Sequence, residues 1–221
     1  MSAVAIAGGH GKIAMLLGAL LAERGDTVRG LIRDPEQEAD LRERGIEPVL
    51  CDLESEDDVA AAVRGADAVV FAAGAGPGSG EARKSTMDLG GAVKPIEAAK
   101  AEGISRYLMV SAMGAADPPA ESSGGDPAAG DGVFGAYLRA KAGADEALRA
   151  SGLDYTIVRP GGLTDDPGTG LVSIAERLDR GQIPRADVAA VLAACLEAPS
   201  TIGRSFDLIG ANTPIADALC G

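Results

Sequence analysis

The sequence predicts an α/β fold, a doubly wound parallel sheet with helices on both faces. Short β-type runs alternate with longer helical patterns, the arrangement in which helical crossovers join parallel strands. One run, Asp67–Ala73 (DAVVFAA), is apolar at every position after its first residue, as a strand buried on both faces requires.

Taken in order, Ala3–Ala7 is a short apolar strand ending at Gly8 and Gly9. Ile13, Leu16, Leu17 and Leu20 then recur at the spacing of one helix face. Thr27–Ile32 reads as strand two, and Asp34-Pro35 as a cap with proline at the first helical position, opening a helix to about Gly45. Pro48–Cys51 is strand three, Ser55 caps a helix through Val63, and Asp67–Ala73 is strand four. After a Gly-rich loop at 74–80, a helix is expected from about Ser85 to Glu102, followed by strand five at Tyr107–Ser111. Residues 114–132 have no periodicity and read as a long loop. Phe134–Ala150 is helical, Tyr155–Arg159 is strand six, and Pro160–Gly170 reads as a Gly/Pro loop. A helix at Asp187–Glu197, a strand at Ser205–Ile209 and a short helix at Pro214–Leu219 close the chain.

With 221 residues, 46% of them hydrophobic and 24% charged, the chain can bury one substantial core and is neither disordered nor of low complexity. The 20 Lys+Arg against 33 Asp+Glu leave a net charge of −13, which argues against nucleic acid or an anionic membrane as a partner. A small molecule is the expected partner, bound by a monomer or homodimer. Cys51, Cys195 and Cys220 form no close pair, so a reducing compartment fits, and His10 is too isolated for a multi-histidine metal site. The N-terminus lacks a basic region, and the apolar stretch from Ile13 to Ala22 is too short to cross a bilayer, so the expected location is the cytoplasm.

Between the first strand and helix stands Gly8-Gly9-His10-Gly11-Lys12-Ile13-Ala14. A phosphate at a helix N-terminus needs main-chain N–H groups aimed at it and no Cβ in the way, and the helix dipole favours the anion. Both Gly9-x-Gly11-x-x-Ala14 and Gly8-x-x-Gly11-x-x-Ala14 fit a Rossmann-type dinucleotide turn, with the main chain of Gly8, His10, Gly11, Lys12 and Ile13 around the phosphates. An ordinary glycine turn is the plain alternative. At the end of strand two, where NAD-binding folds place an acid, this chain has Arg33, then Asp34 as the helix cap. A guanidinium suits a 2′-phosphate, so NADP comes before NAD, with Lys12 as a second cation. Plain surface charge is the competing account of both residues.

Tyr137 and Lys141 share a helix face, and Ser111 ends strand five, on the sheet edge where open α/β folds hold ligands. Free tyrosine has a pKa of about 10, and a lysine ammonium at ~4 Å lowers the cost of ionising it. Tyr137 would exchange the substrate oxygen's proton, Ser111 would hold that oxygen, and Lys141 would assist both the tyrosine and a nicotinamide ribose. The plain alternative is a strand-end residue at Ser111 and a solvated helix face at Tyr137 and Lys141.

At these residues the chain resembles the short-chain dehydrogenase/reductase superfamily, in its atypical NAD(P)H-binding branch with flavin/biliverdin-IXβ-reductase-like proteins and NAD-dependent epimerase/dehydratases. Gly8-x-x-Gly11-x-x-Ala14, Leu31-Ile32-Arg33-Asp34-Pro35, Cys51-Asp52-Leu53, Ala66–Val70, Ile96–Ala99, Met109-Val110-Ser111, Tyr137-x-x-x-Lys141 and Tyr155–Gly162 carry the resemblance across nearly the whole chain. It implies one NAD(P)-binding Rossmann domain over 1–221, with 160–221 adding a small substrate-side annex. Asp52 and Leu53 would flank the adenine, Ala72, Ala73 and Gly74 the ribose and pyrophosphate, and Pro160, Gly161 and Gly162 the nicotinamide. The asparagine that better-known members add to the Ser/Tyr/Lys set has no counterpart, since Asn212 is the sole asparagine. The implied activity is NADP(H)-dependent oxidoreduction of a small carbonyl, quinone or flavin-like substrate. A non-catalytic NADP(H)-sensing regulator and an epimerase/dehydratase are the alternatives.

Overall fold

The structure is a computed structural model describing residues 1–55, 58–74, 89–120 and 131–220, without the side chains of 131–133. In chain order it runs β1 (Ala3–Ala7), α1 (Lys12–Glu23), β2 (Thr27–Ile32), a 3-10 turn at Pro35–Gln37 leading into α2 (Glu38–Glu43), β3 (Glu47–Leu50), α3 (Val59–Val63) and β4 (Ala68–Phe71). Then come α4 (Gly91–Ala101), β5 (Arg106–Val110), α5 (Asp131–Ala150), β6 (Asp154–Pro160), β7 (Gly162–Thr164), β8 (Leu171–Ala175) and β9 (Gln182–Pro184). The chain ends with α6 (Arg185–Glu197), β10 (Arg204–Gly210), β11 (Thr213–Pro214) and α7 (Ile215–Cys220).

Among the described residues the main sheet has the order β3-β2-β1-β4-β5-β6-β10-β8-β11. It is parallel from β3 through β10, and β8 then pairs antiparallel with both β10 and β11. The strand order reverses between β1 and β4, and the C-terminal ends of these two strands form the crevice in which such sheets hold ligands. Strand alternation feeds two cores. Val4, Ile6, Val70, Leu108 and Val158 face α1 and α6 through Leu17, Leu21, Val188 and Leu192. Ala5, Ala7, Phe71, Tyr107 and Ile157 face α3, α4 and α5 through Val63, Ile96, Ala99 and Leu148. Buried on both faces, these strands lack a polar side, hence the continuous apolar runs.

Several expectations need correction. The cap of α3 is Asp58, whose carboxylate accepts from the Ala61 N–H at 2.9 Å. Ser55 sits instead in the preceding turn, its hydroxyl donating to the Asp52 carbonyl at 3.0 Å. The expected loop 160–170 contains β7, which pairs with β9 in a separate two-stranded parallel ribbon. Neither β8 nor β9 was expected; three to five residues are too few for periodicity to declare. Asp34 does cap the turn before α2, accepting from the Glu36 N–H at 3.0 Å with Pro35 behind it. The expected loop 74–80 beyond Gly74, the helix start at Ser85 and loop residues 121–130 lie outside the described residues. No helix among those described is long and apolar enough to cross a membrane.

Candidate functional site

The turn after β1 owes its glycines first to packing. Gly8 has φ +81, and a Cβ there would stand 2.7 Å from the Ala73 Cα. A Cβ on Gly9 would fall 2.6 Å from the Gly30 Cα on β2, while the Gly9 N–H donates to the Leu31 carbonyl at 2.8 Å. These two glycines are therefore demanded by the strands beneath them, whatever lies above. Gly11 differs: it caps α1 with ordinary backbone angles, and a Cβ there would meet the Gly8 carbonyl at 3.2 Å. No side chain caps α1 and its first turn holds no acid. The N–H groups of that turn, which have no partner inside the helix, thus stand at the positive end of its dipole. Ile13 and Ala14 behind them are buried in the core. This cradle fits a dinucleotide pyrophosphate.

Beside the turn lies a cavity of about 240 Å³ lined by Gly8, His10, Gly11, Arg33, Asp52, Leu53, Ala72, Ala73 and Gly74. Residues from four strand ends thus converge on one groove. Arg33 is half exposed and pairs with Glu54 at 3.3 Å. One Asp52 oxygen accepts from the Glu54 N–H at 2.9 Å, so this residue shapes the turn as well as lining the groove. The His10 ring bonds Asp40 on α2 at 2.8 Å. Lys12 reaches the other side of the turn, donating to Asp165 at 2.6 Å, and Arg185 holds the second Asp165 oxygen at 2.7 Å. These two cations hold the Asp165 carboxyl below the usual range, the Lys12 hydrogen bond acting most strongly.

A second cavity, of about 690 Å³, is lined by Ser111, Tyr137, Pro160, Gly161 and Gly162, among others. Lys141 links it to the first. Its side chain is buried, and Nζ donates to the Ala73 carbonyl at the first cavity and to the Val110 carbonyl next to Ser111, both at 3.3 Å. The same ammonium lies 5.9 Å from the centre of the Tyr137 ring. The separation of Ser111 and Tyr137 in sequence therefore does not keep tyrosine and serine apart: both line one cavity.

The sequence reasoning missed Asp145, one more helical turn along the face that carries Tyr137 and Lys141; continuing the four-residue spacing would have found it. Asp145 is buried and accepts from Arg159 Nε on β6 at 3.0 Å, with Arg149 at 3.7 Å. Burial pushes its carboxyl up; the Ser111 hydroxyl, Arg159 and Arg149 oppose that shift. Ser111 Oγ and Asp145 Oδ1, both shut from solvent, complete no well-aligned hydrogen bond among the described residues. The arginines at 177, 180 and 185, which also line the larger cavity, carried no local signal.

Residues 8–199 match the NAD(P)H-binding family. The chain is 44% identical over 218 residues to a Bacillus subtilis protein named uncharacterized sugar epimerase YhfK, covering 98% of each. A Bacillus halodurans structure provisionally described as an NAD-dependent epimerase/dehydratase superposes with TM-score 0.89 at 38% identity, covering 99% of each chain. ChuY, an anaerobilin reductase from Escherichia coli O157:H7, superposes with TM-score 0.78 at 27% identity, over 95% of this chain and 97% of that one. The match begins at the first glycine of the turn and ends just beyond α6, so the chain belongs to the NAD(P)H-binding family, with a Rossmann fold of the oxidoreductase and epimerase type.

Proposed function

We propose that the chain is an NADP(H)-dependent oxidoreductase that transfers hydride between the nicotinamide and a small carbonyl, quinone or flavin-like substrate. It would work as one domain, with residues 160–221 forming the substrate side. The observation that carries this reading is the place of Lys141, whose ammonium joins a carbonyl of the groove beside the glycine turn to the strand end bearing Ser111, near the Tyr137 ring. When bound, NADPH would supply the hydride that, with a proton, reduces a carbonyl C=O to CH–OH and would itself be oxidised to NADP⁺.

The chain's own groups do the rest. Main-chain N–H groups at the start of α1 hold the pyrophosphate, and Arg33 takes the 2′-phosphate. Asp52 and Leu53 flank the adenine, Ala72–Gly74 the adjoining ribose, and Pro160–Gly162 the nicotinamide. Tyr137 delivers the proton to the substrate oxygen, Ser111 donates a hydrogen bond to it, and the Lys141 ammonium favours the negative charge left on the tyrosine. Lys141 also serves the nicotinamide ribose.

Titration with NADPH and NADH tests the nucleotide assignment. Arg33→Ala is expected to weaken NADPH by roughly 1.5–3 kcal/mol and to leave NADH little changed; equal losses would remove Arg33 as the discriminator. Turnover on a carbonyl panel is expected to fall at least about 100-fold in Tyr137→Phe, and an unchanged rate would remove the tyrosine. The names of the Bacillus relatives favour a second reading, an epimerase or dehydratase. That reaction returns its coenzyme, so lasting net consumption of NADPH separates the two.

A further inference from the structure

The lining of the larger cavity is of two unlike kinds, apolar and cationic. Phe134 and Leu163 are large hydrophobic residues left exposed at its rim, and Phe134 lies beside Tyr137 with ring centres 6.0 Å apart. Arg177, Arg180 and Arg185, three guanidinium groups within nine residues of chain, line the same cavity. The chain as a whole carries −13, so cations gathered at one cavity run against its general charge. Carboxylates stand among them and pair with two of the three, Arg177 and Arg185. Asp117 pairs with Arg177 at 2.9 Å while its own side chain is 83% exposed, and Asp207 is buried and accepts from the Leu178 N–H at 3.1 Å. Arg185 is held by Asp165, whereas Arg180 makes no hydrogen bond or ion pair among the described residues. Guanidinium groups grip carboxylates and phosphates through paired N–H donors, and a concave site focuses their field.

We propose that this cavity takes an organic anion, a carbonyl compound bearing a carboxylate or phosphate; the proposal rests on the hydride-transfer reading above. Its charged group lies against Arg177 and Arg180, and its apolar body lies along Phe134 and Tyr137, which turns the carbonyl toward Ser111. The anion displaces only the exposed Arg177–Asp117 pairing, so the arginines are available without unfolding the loop that carries them.

The test is calorimetric titration of the full chain, with and without saturating NADP⁺, using benzoate, phenyl phosphate and benzyl alcohol. Either anion is expected to bind about tenfold or more tightly than the neutral alcohol. The double variant Arg177→Ala/Arg180→Ala is expected to reduce that preference about tenfold, while Arg64→Ala, paired with Glu102 elsewhere on the surface, leaves it in place. Stronger binding of benzoate assigns a carboxylate, and stronger binding of phenyl phosphate assigns a phosphate. Equal binding of benzyl alcohol, survival of the preference in the double variant, or no binding of either anion overturns the proposal. Loss of NADP⁺ binding alone would instead defeat the cofactor reading.

Discussion

The Asp145–Arg159 pair ties α5 to β6 directly behind Ser111, and its removal should be costly in a distinctive way. The side chains are 1% and 4% exposed, with Oδ2 and Nε 3.0 Å apart. At an effective dielectric of about 20, such charges attract by about 4–5 kcal/mol, much of which desolvation offsets. Removing one partner strands the other charge in the core, so Asp145→Leu and Arg159→Met should each cost about 3–5 kcal/mol. Removing both exchanges a buried pair for apolar volume and should cost far less than the two single losses together. Urea unfolding with linear extrapolation measures all three variants.

Acidity distinguishes the two single variants. Burial already raises the Asp145 carboxyl above its unfolded value, and loss of Arg159 raises it further. The folded state then holds a proton the unfolded state has released, so stability falls as pH rises through that window. Arg159→Met should therefore cost more at pH 7 than at pH 4. Asp145→Leu removes the titrating carboxyl itself, so this pair adds no such slope there. Additive single costs, or a parallel pH response in both variants, would refute the account.

Other outcomes follow from the same geometry. Glu54→Gln removes a negative charge 3.3 Å from Arg33 and should tighten NADPH more than NADH, as parallel titrations would show. Gly9→Ala forces a Cβ to within 2.6 Å of the Gly30 Cα and should destabilise the whole fold by thermal melting. Gly11→Ala, with ordinary backbone angles, should lower nucleotide affinity more than melting temperature. Burial pushes the Cys195 thiol up to about 11, and Cys51 is also buried, so at pH 8 a thiol reagent should modify exposed Cys220 first and the others only on unfolding.

Much of the frame was legible because it is written locally. Alternating apolar runs and helical periodicity located the strands from β1 through β6, and Asp34-Pro35 declared its own turn. The glycine turn was equally visible, though its glycines answer to two demands: Gly8 and Gly9 to Ala73 and Gly30, Gly11 to the helix mouth. Ser55 looked like a cap because the choice between it and Asp58 depends on where α3 begins, which packing sets. Asp145 was hidden because a carboxylate on an amphipathic helix normally faces water; only β6, arriving with Arg159, makes it a core residue.

Alone, the sequence determined the wound α/β frame and the anion-seeking bend at its first crossover, since backbone propensity, apolar period and glycine placement act between near neighbours. The tertiary structure decided what faces that bend. Lys12 meets Asp165, Lys141 spans two strand ends, and β8 and β9 bring arginines to the cavity. Those meetings join residues dozens of positions apart, and no local preference encodes them; they exist because strands that share a sheet edge must deliver their ends to the same place.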